Sequence, residues 1–132
     1  VVRKKAIEGL YLLTAYRGRH YARARGVCTE LAASFADVLD EADAILSPTM
    51  PVTAPERGEW SPHTYSDTEE ATPPLAVNTR PADLAGIPAI TVPAGRADGR
   101  PVGIQFMAGE FDDATVLQAG AAFEAFGAST AT

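Results

Sequence analysis

Pro81-Ala82-Asp83-Leu84-Ala85-Gly86-Ile87-Pro88-Ala89-Ile90-Thr91-Val92-Pro93-Ala94-Gly95, followed after a short turn by Arg100-Pro101-Val102-Gly103-Ile104-Gln105-Phe106-Met107-Ala108-Gly109, decides the architecture of this chain. Ala89 to Val92 is a strand-like run rich in β-branched residues. Asp98-Gly99 supplies a turn, and Val102 to Met107 reads as a second strand. The close turn predicts that the two strands pair antiparallel. Upstream, Asn78 or Thr79 can cap a short helix through its side chain. Pro81 is tolerated in the first turn of that helix, and Gly86 suits its C-terminal stop because glycine accepts the left-handed conformation.

Helices are expected on either side of this unit. All ten prolines fall between Pro48 and Pro101, so the ends are free of helix breakers. The last helix starts near Asp112, an N-cap residue, with Val116, Ala119, Ala122, Phe123 and Phe126 as its inner face. Residues 20–40 form a helix with Val27, Leu31, Phe35 and Val38 as an apolar stripe. Residues 3–14 form another, separated by a break at Arg17-Gly18-Arg19. Ala44-Ile45-Leu46, closed by Ser47-Pro48-Thr49, reads as a buried strand ending at a turn. Residues 50–75 form a long proline-rich connection in which Trp60, His63 and Tyr65 line a pocket or cover an apolar patch.

The chain has 132 residues, 46% of them apolar, enough for one core. It begins Val-Val with residues that already read as mid-helix, so a C-terminal piece of a larger protein is expected. An independent small domain stays open. No apolar run reaches the length of a membrane span. The single cysteine, Cys28, excludes an internal disulfide and fits a reducing cytoplasm. The net charge of −6 is uneven: residues 1–25 carry seven basic side chains and one acid, leaving −12 on the rest. Such a basic stretch could meet nucleic acid, but a solvated helix face is the favoured reading and no nucleic-acid partner is expected.

Catalytic chemistry is sparse. Ser47, at a strand end, is the best placed of the serines, but no glycine-rich turn presents a nucleophile. His20 and His63 give no triad spacing, and with Cys28 they give no zinc spacing. Asp37, Asp40 and Glu41 read as the outer face of a helix. Gly95, Gly99 and Gly103 suit turns and close strand packing rather than a phosphate loop.

The chain nevertheless resembles the amidase signature family, with five segments in the family's order. Arg3-Lys4-Lys5-Ala6-Ile7-Glu8-Gly9 is similar to a basic opening helix. Tyr21-Ala22-Arg23-Ala24 with Val27 to Phe35 is similar to the following long helix. Asp43 to Thr49 is similar to a strand ending in a Pro-Thr turn. Leu84 to Ile90 and Gly99 to Gln105 are the most specific pieces, and Phe111 through Glu124 is similar to the closing helix. The resemblance implies an α/β fold, a mixed sheet flanked by helices, of which residues 1–132 form the C-terminal portion. It also implies an amidase of the full-length protein, splitting a carboxylic amide into acid and ammonia or amine without a cofactor. In such enzymes a serine, a second serine on a cis peptide and a lysine act together, and all lie upstream of this region. No position here matches them, so no catalytic residue is assigned and the chain alone is expected to be inactive.

What the region supplies by resemblance is a wall of the substrate pocket, with Thr49, Asn78 and Thr79 as candidates; capping and turn stabilisation is the competing role for each. Asp83 stands where the family often has asparagine. One family branch is the A subunit of the glutamine-dependent amidotransferase that corrects misacylated tRNA. It usually carries an aspartate ahead of the short helix and paired arginines in the opening helix. Here those positions are Ala76 and Lys4-Lys5, so a stand-alone amidase is favoured. Expected partners are a small amide substrate and the N-terminal part of the same enzyme; a homodimer and a non-catalytic remnant stay open. An isolated piece is expected to expose apolar surface and dissolve poorly.

Overall fold

The computed structural model describes residues 2–57 and 75–130. Its elements run α1 (Val2–Ala15), α2 (Arg19–Leu39), β1 (Ile45–Pro48), α3 (Arg80–Ala85), β2 (Ala89–Ala97), β3 (Arg100–Met107) and α4 (Asp113–Thr130). The expected elements are all present. Trp60, His63 and Tyr65 lie outside the described residues.

The β2–β3 hairpin organises the rest. Asp98 and Gly99 both take positive φ, 51° and 75°, as a two-residue turn between twisted strands requires. The Arg96 guanidinium donates to the Gly99 carbonyl at 2.8 Å and closes the turn. β2 extends five residues past Val92, through Pro93. Proline cannot donate to a ladder, but β2 is an edge strand and its register shifts between Pro93 and Arg96, so the missing N–H is accommodated. β1 pairs with the other side of β3, giving the order β1-β3-β2 with both pairings antiparallel.

β1 is not the buried strand that its apolar run implied. It lies at the sheet edge, its residues alternate between partly buried and exposed, and Leu46 is 58% exposed. Its outward face has no helix on it among the described residues, because α4 packs over β2 and β3.

That packing has an identifiable seam. Asp112 accepts the Thr115 N–H at 3.3 Å, the cap its position predicted. From there Val116, Ala119, Gly120 and Phe123 face the sheet, with the Phe123 ring 6.0 Å from that of Phe106. Ala122 falls off this stripe, and Phe126 in the last turn stays exposed. Gly120, absent from the expected face, is the closest point: a Cβ there would lie 3.2 Å from Val92 Cγ1 and 3.3 Å from Ile90 Cδ1. The helix gives up propensity at this glycine and gains close contact with the strand.

On the N-terminal side, α2 packs on α3. The half-buried residues of α2 are Cys28, Leu31, Ala32, Phe35 and Leu39. Val27 and Val38 from the expected stripe are exposed, so the buried face is rotated toward Cys28 and Leu39. Thr79 precedes α3 but makes no side-chain cap bond, and Gly86 ends the helix in the left-handed conformation, as expected. α1 buries almost nothing: Ile7, Leu10, Tyr11, Leu12 and Leu13 are all exposed.

The buried apolar residues among those described are Ala82, Val92, Met107, Ala108 and Val116, set against seventeen large apolar residues that are exposed. So small a core offsets little of the chain entropy lost on folding.

Gly120→Leu forces a branched side chain into the α4–β2 seam. It is expected to destabilise the protein by about 1–3 kcal/mol, read as a lowered urea midpoint of the native protein. Gly120→Ala is expected to lie near neutral, because restored helix propensity opposes the tight contact. Equal midpoints for wild type and Gly120→Leu would show that α4 does not sit on β2 in this way.

Candidate functional site

Strand alternation gives the sheet two unlike faces. Ile90, Val92 and Phe106 lie on the face toward α4. The other face carries a polar row across all three strands. Ser47 pairs with Gln105, and Gln105 pairs with Thr91. One row on, Thr49 donates its backbone N–H to the Gly103 carbonyl at 3.0 Å, extending β1 by a residue, and Gly103 in turn faces Pro93.

Gly103 lets the outer strands meet. Thr49 Oγ1 donates to Thr91 Oγ1 at 3.2 Å, across the central strand. A Cβ at Gly103 would stand 3.0 Å from Thr91 Cγ2 and 3.3 Å from Thr49 Oγ1. Any larger residue would therefore push into the space over which the two hydroxyls approach. Thr91 is exposed and Thr49 half-buried, so the pair lies at the surface of the wall. With Thr49 donating, the Thr91 hydroxyl proton has no acceptor among the described residues and is available to a ligand or water.

Gln105 is the buried anchor of this face, with 1% exposure. Its Nε2 donates to Ser47 Oγ at 3.0 Å and to the backbone carbonyl of Asn78, and lies 3.8 Å from Met107 Sδ. Asn78 returns a second link, its Nδ2 donating to the Pro48 carbonyl at 2.8 Å. The segment ahead of α3 is thus latched to β1 and β3 at once. No described buried side-chain polar atom lacks a partner, which a network of this kind requires.

The structure brings two of the three sequence candidates together. Thr49 and Asn78 belong to the same polar wall. Thr79 is the next residue along, half-buried, and neither caps α3 through its side chain nor joins the network. Asn78 does not cap the helix either; its side chain holds the end of β1. Sequence reasoning missed Gln105, Thr91 and Gly103 as members. The period-2 spacing of Thr91 in β2 and of Gly103 and Gln105 in β3 was visible, but the register that lines them up with Ser47 and Thr49 was not. Among the described residues no group of three or more histidine, cysteine or acidic side chains could hold a metal ion, and no helix is long and apolar enough to cross a membrane.

Comparison with known proteins gives this wall a context. The family model described as Amidase matches residues 1–117. The A subunit of glutamyl-tRNA(Gln) amidotransferase from Halobacterium salinarum is 38% identical over 125 residues, covering 93% of this chain and 28% of the relative. Its counterpart of the same name from Streptococcus gordonii is 38% identical over 130 residues, covering 94% and 25%. The crystal structure of the Thermotoga maritima counterpart superposes with a TM-score of 0.65 at 38% identity, over 87% of this chain and 24% of that one. A protein from a vestigial complex connected with the origins of an s-triazine catabolic enzyme gives 0.64 at 26% identity, over 81% and 24%. The chain belongs to the Amidase family, and it spans about a quarter of the length of the curated relatives it matches.

Gln105→Leu leaves the part-buried Asn78 carbonyl without its donor. It is expected to cost about 1–3 kcal/mol of stability. Ser47→Ala should cost less, because the Gln105 amide keeps the Asn78 carbonyl. Chemical denaturation of the two variants side by side checks the order. Equal losses would mean that the Ser47 bond, not the Asn78 latch, carries the interaction.

Proposed function

We propose that this chain is the C-terminal part of an amidase that hydrolyses a carboxylic amide, and that its polar sheet face forms one wall of the substrate pocket. The observation that carries this reading is the Thr49–Thr91 hydroxyl pair over Gly103, in a chain whose family model is that of an amidase. In the reaction, the nucleophilic serine adds to the amide carbonyl, the C–N bond breaks to release ammonia or an amine, and water then cleaves the acyl-enzyme ester to give the carboxylic acid. The nucleophile and base belong to the upstream part of the enzyme. The wall contributes orientation: the Thr91 hydroxyl can donate to a substrate oxygen, while the Gln105 and Asn78 latch holds the strands that carry it. Binding energy of this kind accelerates the reaction by fixing the amide against the nucleophile.

The upstream part also has a place to dock. Leu12, Leu13 and Tyr21 line an apolar groove between α1 and α2 that is open in this chain. Under this reading the upstream part of the enzyme covers that groove.

A second reading is the A subunit of a glutamine-dependent tRNA amidotransferase. The names of the relatives at 36–39% identity favour it. Ala76, where that branch carries an aspartate, and Lys4-Lys5, where it carries arginines, favour the first.

The test is the native product from its own cells. A protein several times larger than 132 residues is expected, releasing ammonia from simple amides, while the 132-residue chain alone releases none. Amide hydrolysis by the isolated chain would contradict this placement of the catalytic groups. A native product of 132 residues would remove the enzyme reading and leave a non-catalytic remnant. Ammonia released from glutamine only in the presence of a second protein would favour the second reading.

A further inference from the structure

Helix α2 carries its charges against its own dipole. The positive end of a helix dipole lies at the N-terminus and favours acids there, with bases at the C-terminus. In α2 the first turn holds no acid and the last turn no base. Arg19 and Arg23 stand near its start, at the i, i+4 spacing where like charges repel. Asp37 lies in its last turn, and Asp40 and Glu41 follow directly. Each end therefore destabilises the helix that bears it.

These charges share one face. Arg19, Arg23, Gly26, Glu30, Ala33 and Asp37 recur at spacings of three and four, which keeps them in line along a helix. All of them are exposed. Cys28, Leu31, Phe35 and Leu39 form the half-buried side toward α3, half a turn away. The line thus points away from α3. Gly26 stands near its middle. Glycine inside a helix costs propensity, and no described atom lies within 4 Å of where its Cβ would stand. Contacts among the described residues therefore do not call for it, whereas the close approach of a second helix does.

A line that runs from basic to acidic is complementary to itself when reversed. We propose that α2 is a self-complementary docking surface through which two copies of this protein pair antiparallel about a two-fold axis. Arg23 of each copy meets Glu30 of the other, Arg19 comes within a turn of Asp37, and Gly26 lies at the crossing. Every charge that opposes its own helix dipole then faces an opposite charge, and the two dipoles are antiparallel. Val27, 60% exposed, adds apolar contact beside the crossing. Exposed ion pairs are individually weak and screened by salt, so the dimer is salt-sensitive. The pairing is independent of the amide-hydrolase reading and of what the polar wall binds.

Sedimentation velocity of the full-length native protein reads the association. Wild type should dimerise, and raising the salt from about 0.05 to about 0.5 M should weaken the dimer about tenfold in Kd. Arg19→Glu/Arg23→Glu should weaken it about a hundredfold, and so should Glu30→Arg/Asp37→Arg, because each sets like charges against each other. Both exchanges agree with the helix dipole, so neither variant should lose thermal stability as a monomer. An equimolar mixture of the two should dimerise again, since an acidic helix then faces a basic one. A monomeric wild type overturns the proposal, as does a dimer indifferent to both exchanges or a pair of variants that stays monomeric when mixed. A loss of stability in both variants with no change in mass places the cover of α2 within the same polypeptide and overturns it too.

Discussion

One buried carboxamide holds the polar sheet face of this chain together. Gln105 sits in the central strand, yet its donors go to β1 and to the segment before α3. Burying an amide is unfavourable unless its hydrogen bonds are made, and a half-made network is worse than an apolar core. The arrangement is therefore close to all or none. When Ser47 and the Asn78 carbonyl are both in reach, the edge strand, the central strand and the approach to α3 are fixed together. The exposed Thr49–Thr91 pair can then be precise although it lies at the surface, because the backbone beneath it is constrained by the Gln105 bonds.

The two sheet faces divide the labour. On one, α4 approaches so closely that a Cβ at Gly120 would press on Val92 and Ile90. On the other, a Cβ at Gly103 would press on Thr91 and Thr49. Both glycines are favoured by proximity rather than by backbone angle: neither has the positive φ of Gly86 or Gly99. Close packing on the helix side gives stiffness. Close packing on the polar side gives two hydroxyls at hydrogen-bond distance with a proton to spare. Rigid elements carry positioning groups better than loops do, because error in the support becomes error in the site.

Much of the fold was legible because local chemistry and global structure agree here. Asp98-Gly99, Gly86, Asp112 and the break at Gly18 each behave as their residue types dictate. Legibility failed where an answer depended on what lies across the sheet. Val27 and Val38 belong to an acceptable helical stripe, yet α3 meets the Cys28–Leu39 side instead. Ile45-Leu46 looks like a buried strand, but burial depends on a covering layer that α4 does not extend to β1. Family resemblance pointed to Thr49 and Asn78 as candidates; nothing pointed to Gln105, since a glutamine in a strand is ordinary until register puts it beneath a serine.

The exposed apolar residues of α1 and the start of α2 follow from the same reasoning. A helix with Leu10, Leu12 and Leu13 exposed on more than one side has no stable place in water as a solitary surface element. Its ion pairs, Glu8 with Lys4 at 3.8 Å and with Lys5 at 3.2 Å, are solvent-exposed and contribute little. The well-packed hairpin and α4 can keep their local geometry with few neighbours, whereas α1 and α2 cannot. The chain thus divides: β1 through α4 carry the sheet, its packing and the polar wall, while α1 and the start of α2 leave their apolar side chains exposed.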